Sequence, residues 1–164
     1  MSARPLIIAA LAALLLYPAA ATAQQVVHSG VGPRVGFSTD PDQFVFGGQL
    51  TIGEIAPHVT FDPSLEVGFG DNLTSIAANF DLHYHFPLTG YAWTPYAGAG
   101  ATIVNYSYDN DLPNGDSNNT EAGGSLLVGA GAMTASGNRF FTELKFGLGD
   151  VPSLKFMVGW NFKL

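Results

Sequence analysis

The carboxyl-terminal segment LKFMVGWNFKL (154–164) alternates between two classes of side chain. One phase is entirely apolar: Leu154, Phe156, Val158, Trp160, Phe162 and Leu164. The other phase includes Lys155, Gly159, Asn161 and Lys163. Successive side chains of a β-strand point to opposite faces of a sheet, so the segment is predicted to be a strand with one apolar and one polar face. The apolar face points inward in a soluble protein and outward into lipid in a transmembrane barrel.

Seven further segments also favour strands, and no long stretch has the 3.6-residue period of an amphipathic helix. The eight predicted strands span residues 31–39, 43–54, 58–70, 73–86, 92–108, 121–135, 138–149 and 153–164. We therefore predict an all-β protein with eight antiparallel strands.

The first 23 residues have the pattern of a secretory signal peptide. Arg4 precedes an apolar run, Leu6–Leu16, and Ala21-Thr22-Ala23 resembles a cleavage site. The run is shorter than the roughly 20 residues that a membrane-spanning helix needs. We expect cleavage after Ala23, which leaves one domain over residues 24–164.

The connections between the predicted strands differ in composition at alternate positions. The first, third, fifth and seventh contain DPD, GDN, DNDLPNGDSNN and GDVP, whereas the others contain EIAPH, FPLTGY and TASGN. Alternate connections of an antiparallel barrel lie at the same end, so the acid-rich turns are expected together. The longest loop, Asp109–Thr120, is among them, and the outer loops of transmembrane barrels are the longer ones.

Charges of both signs gather on the polar faces. The predicted interior set is Arg34, Asp62, Glu66, Asp81, Glu143, Lys145, Lys155 and Lys163. Unpaired charge in a confined interior is costly, and four acids with four bases would balance there. The opposite faces supply a predicted lipid-facing set: Phe80, Tyr84, Leu144, Phe146, Phe156, Trp160 and Phe162.

Aromatic side chains favour the same arrangement by gathering near the strand ends. One predicted band holds Tyr84, Phe86, Trp93, Phe140, Trp160 and Phe162, and the other holds Phe37, Phe44, Phe46, Phe69, Tyr106 and Tyr108. Two such bands are typical of the two interfaces of a membrane. The fold class that follows is an eight-stranded antiparallel transmembrane β-barrel.

Four segments carry a resemblance to a known family: PSLEVGFG (63–70), ANFDLHYHFP (78–87), TPYAGAGAT (94–102) and the terminal GWNFKL. With them the chain resembles the small eight-stranded outer-membrane barrels of Gram-negative bacteria, of the OmpX/OmpA-like type. The resemblance implies a monomer in the lipid of the cell outer membrane, inserted by the barrel-assembly machinery that reads the terminal strand. Members commonly end in Phe, whereas this chain ends in Lys163-Leu164.

Three patterns contain residue types that occur in metal or catalytic sites. Asp81, His83 and His85 share one strand face and have metal-ligating side chains, but no third element of a metal site is evident and a polar interior contact is the favoured interpretation. Asp109, Asp111 and Asp116 in the long loop are spaced somewhat like calcium ligands but lack the terminal Glu of an EF-hand. Ser64 shares a face with Glu66 and lies near His58 in sequence, yet no nucleophile–base spacing stands out.

These observations predict a structural barrel rather than an enzyme, with no cofactor and, lacking a basic patch, no nucleic-acid partner. Its interior is expected to be closed by paired charges, and its acidic loops to serve surface interaction or adhesion. Two alternatives remain at this stage. One is a soluble periplasmic, lipocalin-like carrier of an apolar ligand, and the other is an outer-membrane enzyme that modifies lipid A.

Overall fold

The computed structural model describes residues 27–108 and 118–164. All regular structure in these ranges is β-strand. The strands are β1 (Gly30–Thr39), β2 (Gln43–Ala56), β3 (Val59–Gly70), β4 (Leu73–His85), β5 (Trp93–Tyr108), β6 (Asn118–Met133), β7 (Arg139–Gly149) and β8 (Leu154–Lys163). None of the described residues forms a helix long and apolar enough to cross a membrane. The signal peptide predicted for residues 1–23 lies outside the described residues.

The strands form one closed barrel in which each strand pairs antiparallel with the next. The first and last strands complete it, with Val31 opposite Phe162 and Phe37 opposite Phe156. Closure pairs both long edges of the sheet, so neither remains available for pairing with another chain. The prediction of an eight-stranded antiparallel barrel is confirmed.

The barrel has two distinct ends. We call the end with connections 40–42, 71–72 and 150–153 the loop end, because the segment between β5 and β6 also starts and finishes there. The opposite end has connections 57–58, 86–92 and 134–138 and both ends of the described chain, and we call it the termini end. The acid-rich turns that the structure describes all lie at the loop end, as the alternation of connections predicts.

The apolar faces of the strands point outward. Phe37 is 61% exposed and Leu65 is 60% exposed, whereas Asp62 and Asn79 on the inner face are completely buried. The predicted lipid-facing set lies on this outer surface, with Leu144 and Trp160 partly covered by their neighbours. The exterior is thus apolar and the interior polar, which reverses the arrangement of a water-soluble barrel.

One aromatic residue departs from the predicted outer bands. Tyr106 points into the barrel and is 7% exposed, where it joins Leu73, Ala77, Val104 and Val151 in an apolar cluster. We call this cluster the apolar cap. The prediction for Tyr106 was wrong because Tyr106 shares the inward phase of β5 with Tyr96, Thr102 and Val104, as the alternation along the strand already indicates.

Backbone hydrogen bonds hold connection 150–153 in place. The amide of Gly147 donates to the carbonyl of Ser153 at 3.0 Å, and the amide of Ser153 donates to the carbonyl of Thr39 at 3.1 Å. Val151 and Pro152 are both buried as a result. The apolar cap therefore covers the polar interior at the loop end.

Candidate functional site

Arg34 lies at the centre of the polar interior and contacts three strands. It projects inward from β1, where its guanidinium donates from Nη1 to Gln49 Oε1 at 2.7 Å and from Nη2 to Glu143 Oε1 at 2.9 Å. Its Nε lies 3.1 Å from Glu66 Oε1. A second cation, Lys155, donates to the other oxygen of Glu66 at 2.7 Å. These groups are essentially excluded from solvent, so the attraction between them is little screened.

A second group lies beside the first. Lys145 donates to Asp81 Oδ2 at 2.5 Å and also reaches Asn79 Oδ1 at 3.4 Å. Asn79 in turn accepts a hydrogen bond from Thr102 and donates one to Ser64. Asn79 thus gives Lys145 a second acceptor, as a buried charge requires, while Asp81 Oδ1 accepts no hydrogen bond from the described residues.

The third group lies toward the termini end and is centred on Asp62. Its two oxygens accept hydrogen bonds from Thr51 and Thr60, both at 2.5 Å. His83 Nδ1 lies 3.3 Å from Asp62 Oδ2, and His83 Nε2 lies 3.6 Å from Glu143 Oε2. The imidazole of His83 thus lies between Asp62 and Glu143 without a hydrogen bond to either.

Tyr96 supports this third group from β5. Its ring stacks on His83 with 4.8 Å between centroids, and its hydroxyl donates to Glu143 Oε2 at 3.1 Å. The close approach depends on Gly129, because a Cβ there would overlap the end of the Tyr96 ring. Sequence analysis missed Tyr96, although its place in the inward phase of β5 was readable from the alternation.

Seven of the eight residues in the predicted interior set lie inside the barrel, but Lys163 does not. Lys163 is exposed at the last position of β8 and makes no ion pair within the described chain. Arg139, which the sequence places at a strand end, is instead buried at 4% exposure. The interior therefore contains four acids and four permanent cations, with Arg139 in the place assigned to Lys163.

The predicted metal candidates do not form a common site. Asp81 is paired with Lys145, and His85 Nε2 lies 3.0 Å from the hydroxyl of Thr60. Among residues 27–108 and 118–164, no three His, Cys, Asp or Glu side chains are arranged to hold a metal ion. Asp109, Asp111 and Asp116 lie outside the described residues, so the calcium hypothesis stays untested.

The serine considered as a nucleophile has no histidine partner in the described structure. Ser64 accepts its hydrogen bond from Asn79, while the ring of His58 lies at the termini end against Tyr84. The hydroxyl that does contact a histidine belongs to Thr60, and both it and His85 are buried inside the barrel. This geometry does not expose a hydroxyl–imidazole pair to a substrate.

The polar interior around the ion pairs has little free space among the described residues, whereas a cavity of about 330 Å³ opens at the loop end beside the apolar cap. A void beside Glu66 and Lys155 is about the size of one water molecule. Polar side chains fill the space in which a lipocalin-like barrel would hold an apolar ligand. The geometry therefore argues against the carrier alternative.

Comparisons with known proteins identify the fold. The chain is similar to the crystal structure of Neisserial surface protein A, with a TM-score of 0.63 and 14% identity, covering 84% of this chain and 96% of that one. It is similar to the N-terminal β-barrel domain of Pseudomonas aeruginosa OprF, with a TM-score of 0.52 and 20% identity over 84% of this chain and 100% of that one. It is also similar to the outer membrane enzyme PagL, with a TM-score of 0.50 and 15% identity over 82% of this chain and 99% of that one. No protein-family model and no curated protein matches the sequence.

Proposed function

We propose that this chain, which has the fold of the small eight-stranded outer-membrane barrels, is a monomeric structural protein of the cell outer membrane. In this proposal it anchors itself in lipid and presents its loop end at the cell surface. The single observation that carries the proposal is the reversed distribution of side chains, apolar outside and charged inside. Such a surface is stable when lipid covers it and is a liability in water.

The dimensions of the strands agree with a membrane location. Transmembrane strands need about 9–11 residues to cross the hydrocarbon core, and the eight strands here have between 10 and 16. Trp93 and Trp160 each pack against Phe140 near the termini end, with ring centroids 5.8 and 6.1 Å from that of Phe140. A cluster of this kind suits the interfacial layer of a bilayer, where amphipathic rings are favoured.

A wide diffusion pore does not fit the structure. The central ion pairs fill the middle of the barrel, and the apolar cap covers it at the loop end. Eight strands enclose a space that side chains can fill completely. The proposed role is therefore anchoring and display rather than transport.

The loop end has the composition of a surface for interaction. Its described connections contain four carboxylates: Asp40, Asp42, Asp71 and Asp150. All described lysines and arginines lie inside the barrel or at the termini end. Opposite charges steer association, so the kind of partner proposed is a cationic one, such as a basic segment of another protein. The likeness to a protein named Neisserial surface protein A is consistent with a role at the cell surface.

Cell fractionation with a heat-shift gel tests the proposal. All 164 residues are expressed, the outer membrane is separated, and samples are run with and without boiling. We expect a band in the outer membrane that changes mobility on heating, because a folded barrel resists unfolding by detergent. A version lacking residues 1–23 is the control and should remain inside the cell. A soluble periplasmic protein with no heat shift would refute the proposal.

A mass spectrum of lipid A addresses the enzyme alternative that the likeness to PagL keeps open. Cells expressing the chain are compared with cells carrying the empty vector. We expect identical lipid A masses, since the described residues expose no hydroxyl–imidazole pair. Loss or gain of an acyl chain would instead assign the protein an enzymatic role.

A further inference from the structure

Among residues 27–108 and 118–164, the interior ion pairs leave one buried cation, Arg139, without a carboxylate partner. Glu66 is shared by Arg34 and Lys155, Glu143 is held by Arg34, and Asp81 is held by Lys145. Asp62 accepts hydrogen bonds from Thr51 and Thr60. Within the described residues, no carboxylate lies within ion-pair distance of Arg139, although only 4% of this residue is exposed.

Arg139 is held in place by packing. Its guanidinium carbon lies 5.0 Å from the centre of the Tyr96 ring, an arrangement in which the ring attracts the cation. On the other side, Gly131 leaves room for the guanidinium, because a Cβ there would overlap it. The Nη2 atom is buried and has no hydrogen-bond acceptor among the described residues. A buried donor of this kind costs free energy unless it finds an acceptor.

Arg139 lines a cavity at the termini end of the barrel, which we call the basic mouth. Lys163, His28, Ser29 and Asn161 also line the basic mouth, and none of the described Asp or Glu side chains does. Lys163 is exposed and has no ion-pair partner in the described chain. Two permanent cations thus share one cavity without an acid, in a chain with 13 acidic and 6 basic residues.

We propose that the basic mouth binds a phosphate-type anion, either inorganic phosphate or the phosphate of a phospholipid headgroup. The enclosed part of the cavity is about the size of one water molecule. One phosphate oxygen fits there as the acceptor for Arg139, while the other oxygens remain at the opening beside Lys163. Guanidinium and ammonium groups are the side chains that bind phosphate best. The proposal concerns the termini end and does not depend on what the loop end contacts.

Nuclear magnetic resonance of arginine side chains tests this site directly. The full chain, labelled with ¹⁵N-arginine, is purified in a detergent that contains no phosphate, and its Nε–H resonances are recorded. Inorganic phosphate is then added while sodium chloride keeps the ionic strength constant. We expect the Arg139 resonance, assigned with Arg139→Lys, to move and saturate. The Arg34 resonance is the internal control and should stay still, because Glu66 and Glu143 already occupy its guanidinium.

Variants separate a site from a general salt effect. Lys163→Gln, at an exposed position that should not disturb folding, is expected to weaken phosphate binding roughly two- to five-fold, the range of an exposed ion pair. Glu54→Gln is the matched control, since Glu54 is exposed at the same end of the barrel but does not line the basic mouth. It should leave binding unchanged.

Bilayers distinguish the two sources of phosphate. The labelled chain is placed in phosphatidylglycerol bilayers and, separately, in bilayers of an uncharged glycolipid. A shift of the Arg139 resonance in phosphatidylglycerol without a response to inorganic phosphate would assign the site to lipid headgroups. A response to inorganic phosphate in the glycolipid would assign it to the free ion. No saturable shift in either experiment, or an equal shift of the Arg34 resonance, would overturn the proposal.

Discussion

Replacing Arg34 by Met should destabilise the barrel strongly. Arg34 contacts Gln49, Glu66 and Glu143, and its side chain is completely buried. Methionine fills part of the same volume but donates no hydrogen bond and has no charge. The variant therefore removes the cation and leaves its two carboxylates in place.

The expected loss follows from what each carboxylate retains. Glu66 keeps Lys155 at 2.7 Å, whereas the described structure leaves Glu143 only the Tyr96 hydroxyl at 3.1 Å and His83 at 3.6 Å. Breaking a buried ion pair by removing one partner typically costs about 3–5 kcal/mol. We expect Arg34→Met to lower the free energy of unfolding by an amount in that range, mainly through Glu143.

A double-mutant cycle with Glu143→Gln tests whether the unpaired charge of Glu143 causes this loss. Glu143→Gln in the Arg34→Met background removes the uncompensated charge and keeps a group that can accept from Tyr96. The combined loss should therefore be smaller than the sum of the two single losses by at least about 1 kcal/mol, as for residues in direct contact. Lys163→Met is the matched control for loss of a positive charge, because Lys163 is exposed and unpaired among the described residues.

Urea unfolding of the chain refolded in lipid vesicles measures these losses. The fluorescence of Trp93 and Trp160 reports the transition, and the heat-shift gel confirms the folded fraction. The control should change the free energy of unfolding by no more than about 0.5 kcal/mol. If Arg34→Met is as mild as the control, or if the two interior changes simply add, the interior is not held by this ion-pair network.

Three further outcomes are expected from the same structure. Gly129→Val should destabilise by about 1–3 kcal/mol through overpacking against Tyr96, whereas Gly124→Ala, whose nearest neighbour would be 3.8 Å away, should be nearly neutral in the same urea assay. Leu65→Arg, in the part of the outer surface expected to face the middle of the bilayer, should lower the free energy of unfolding by about 2–4 kcal/mol. Thr120→Arg, near the loop end, should lower it by about 0–1 kcal/mol. Equal losses would mean that Leu65 does not face the middle of the bilayer. In planar bilayers the chain should give no porin-like conductance, and regular open steps would contradict a closed interior.

The sequence predicts the strands well because their signal is local. Alternation along LKFMVGWNFKL places Lys155 and Asn161 on one face without reference to any other strand, and the structure agrees. The start of β6 is the largest difference, since residue 121 was predicted and Asn118 is observed. The run Asn118–Thr120 looks like a turn, but it continues the ladder because Ser107 and Asn105 hydrogen-bond to it from β5.

The sequence by itself determined how many strands form, where most of them end and which face of each is apolar. These properties depend on a two-residue period and on turn residues, which act over a few positions. Only the tertiary structure decided which charges meet, since Arg34 and Glu143 are 109 residues apart and Lys155 and Glu66 are 89 apart. The register of eight strands and their closure into a barrel bring these side chains together. The same closure encloses Arg139 and leaves Lys163 at the opening, because the position of a strand end relative to the rim is a property of the whole barrel.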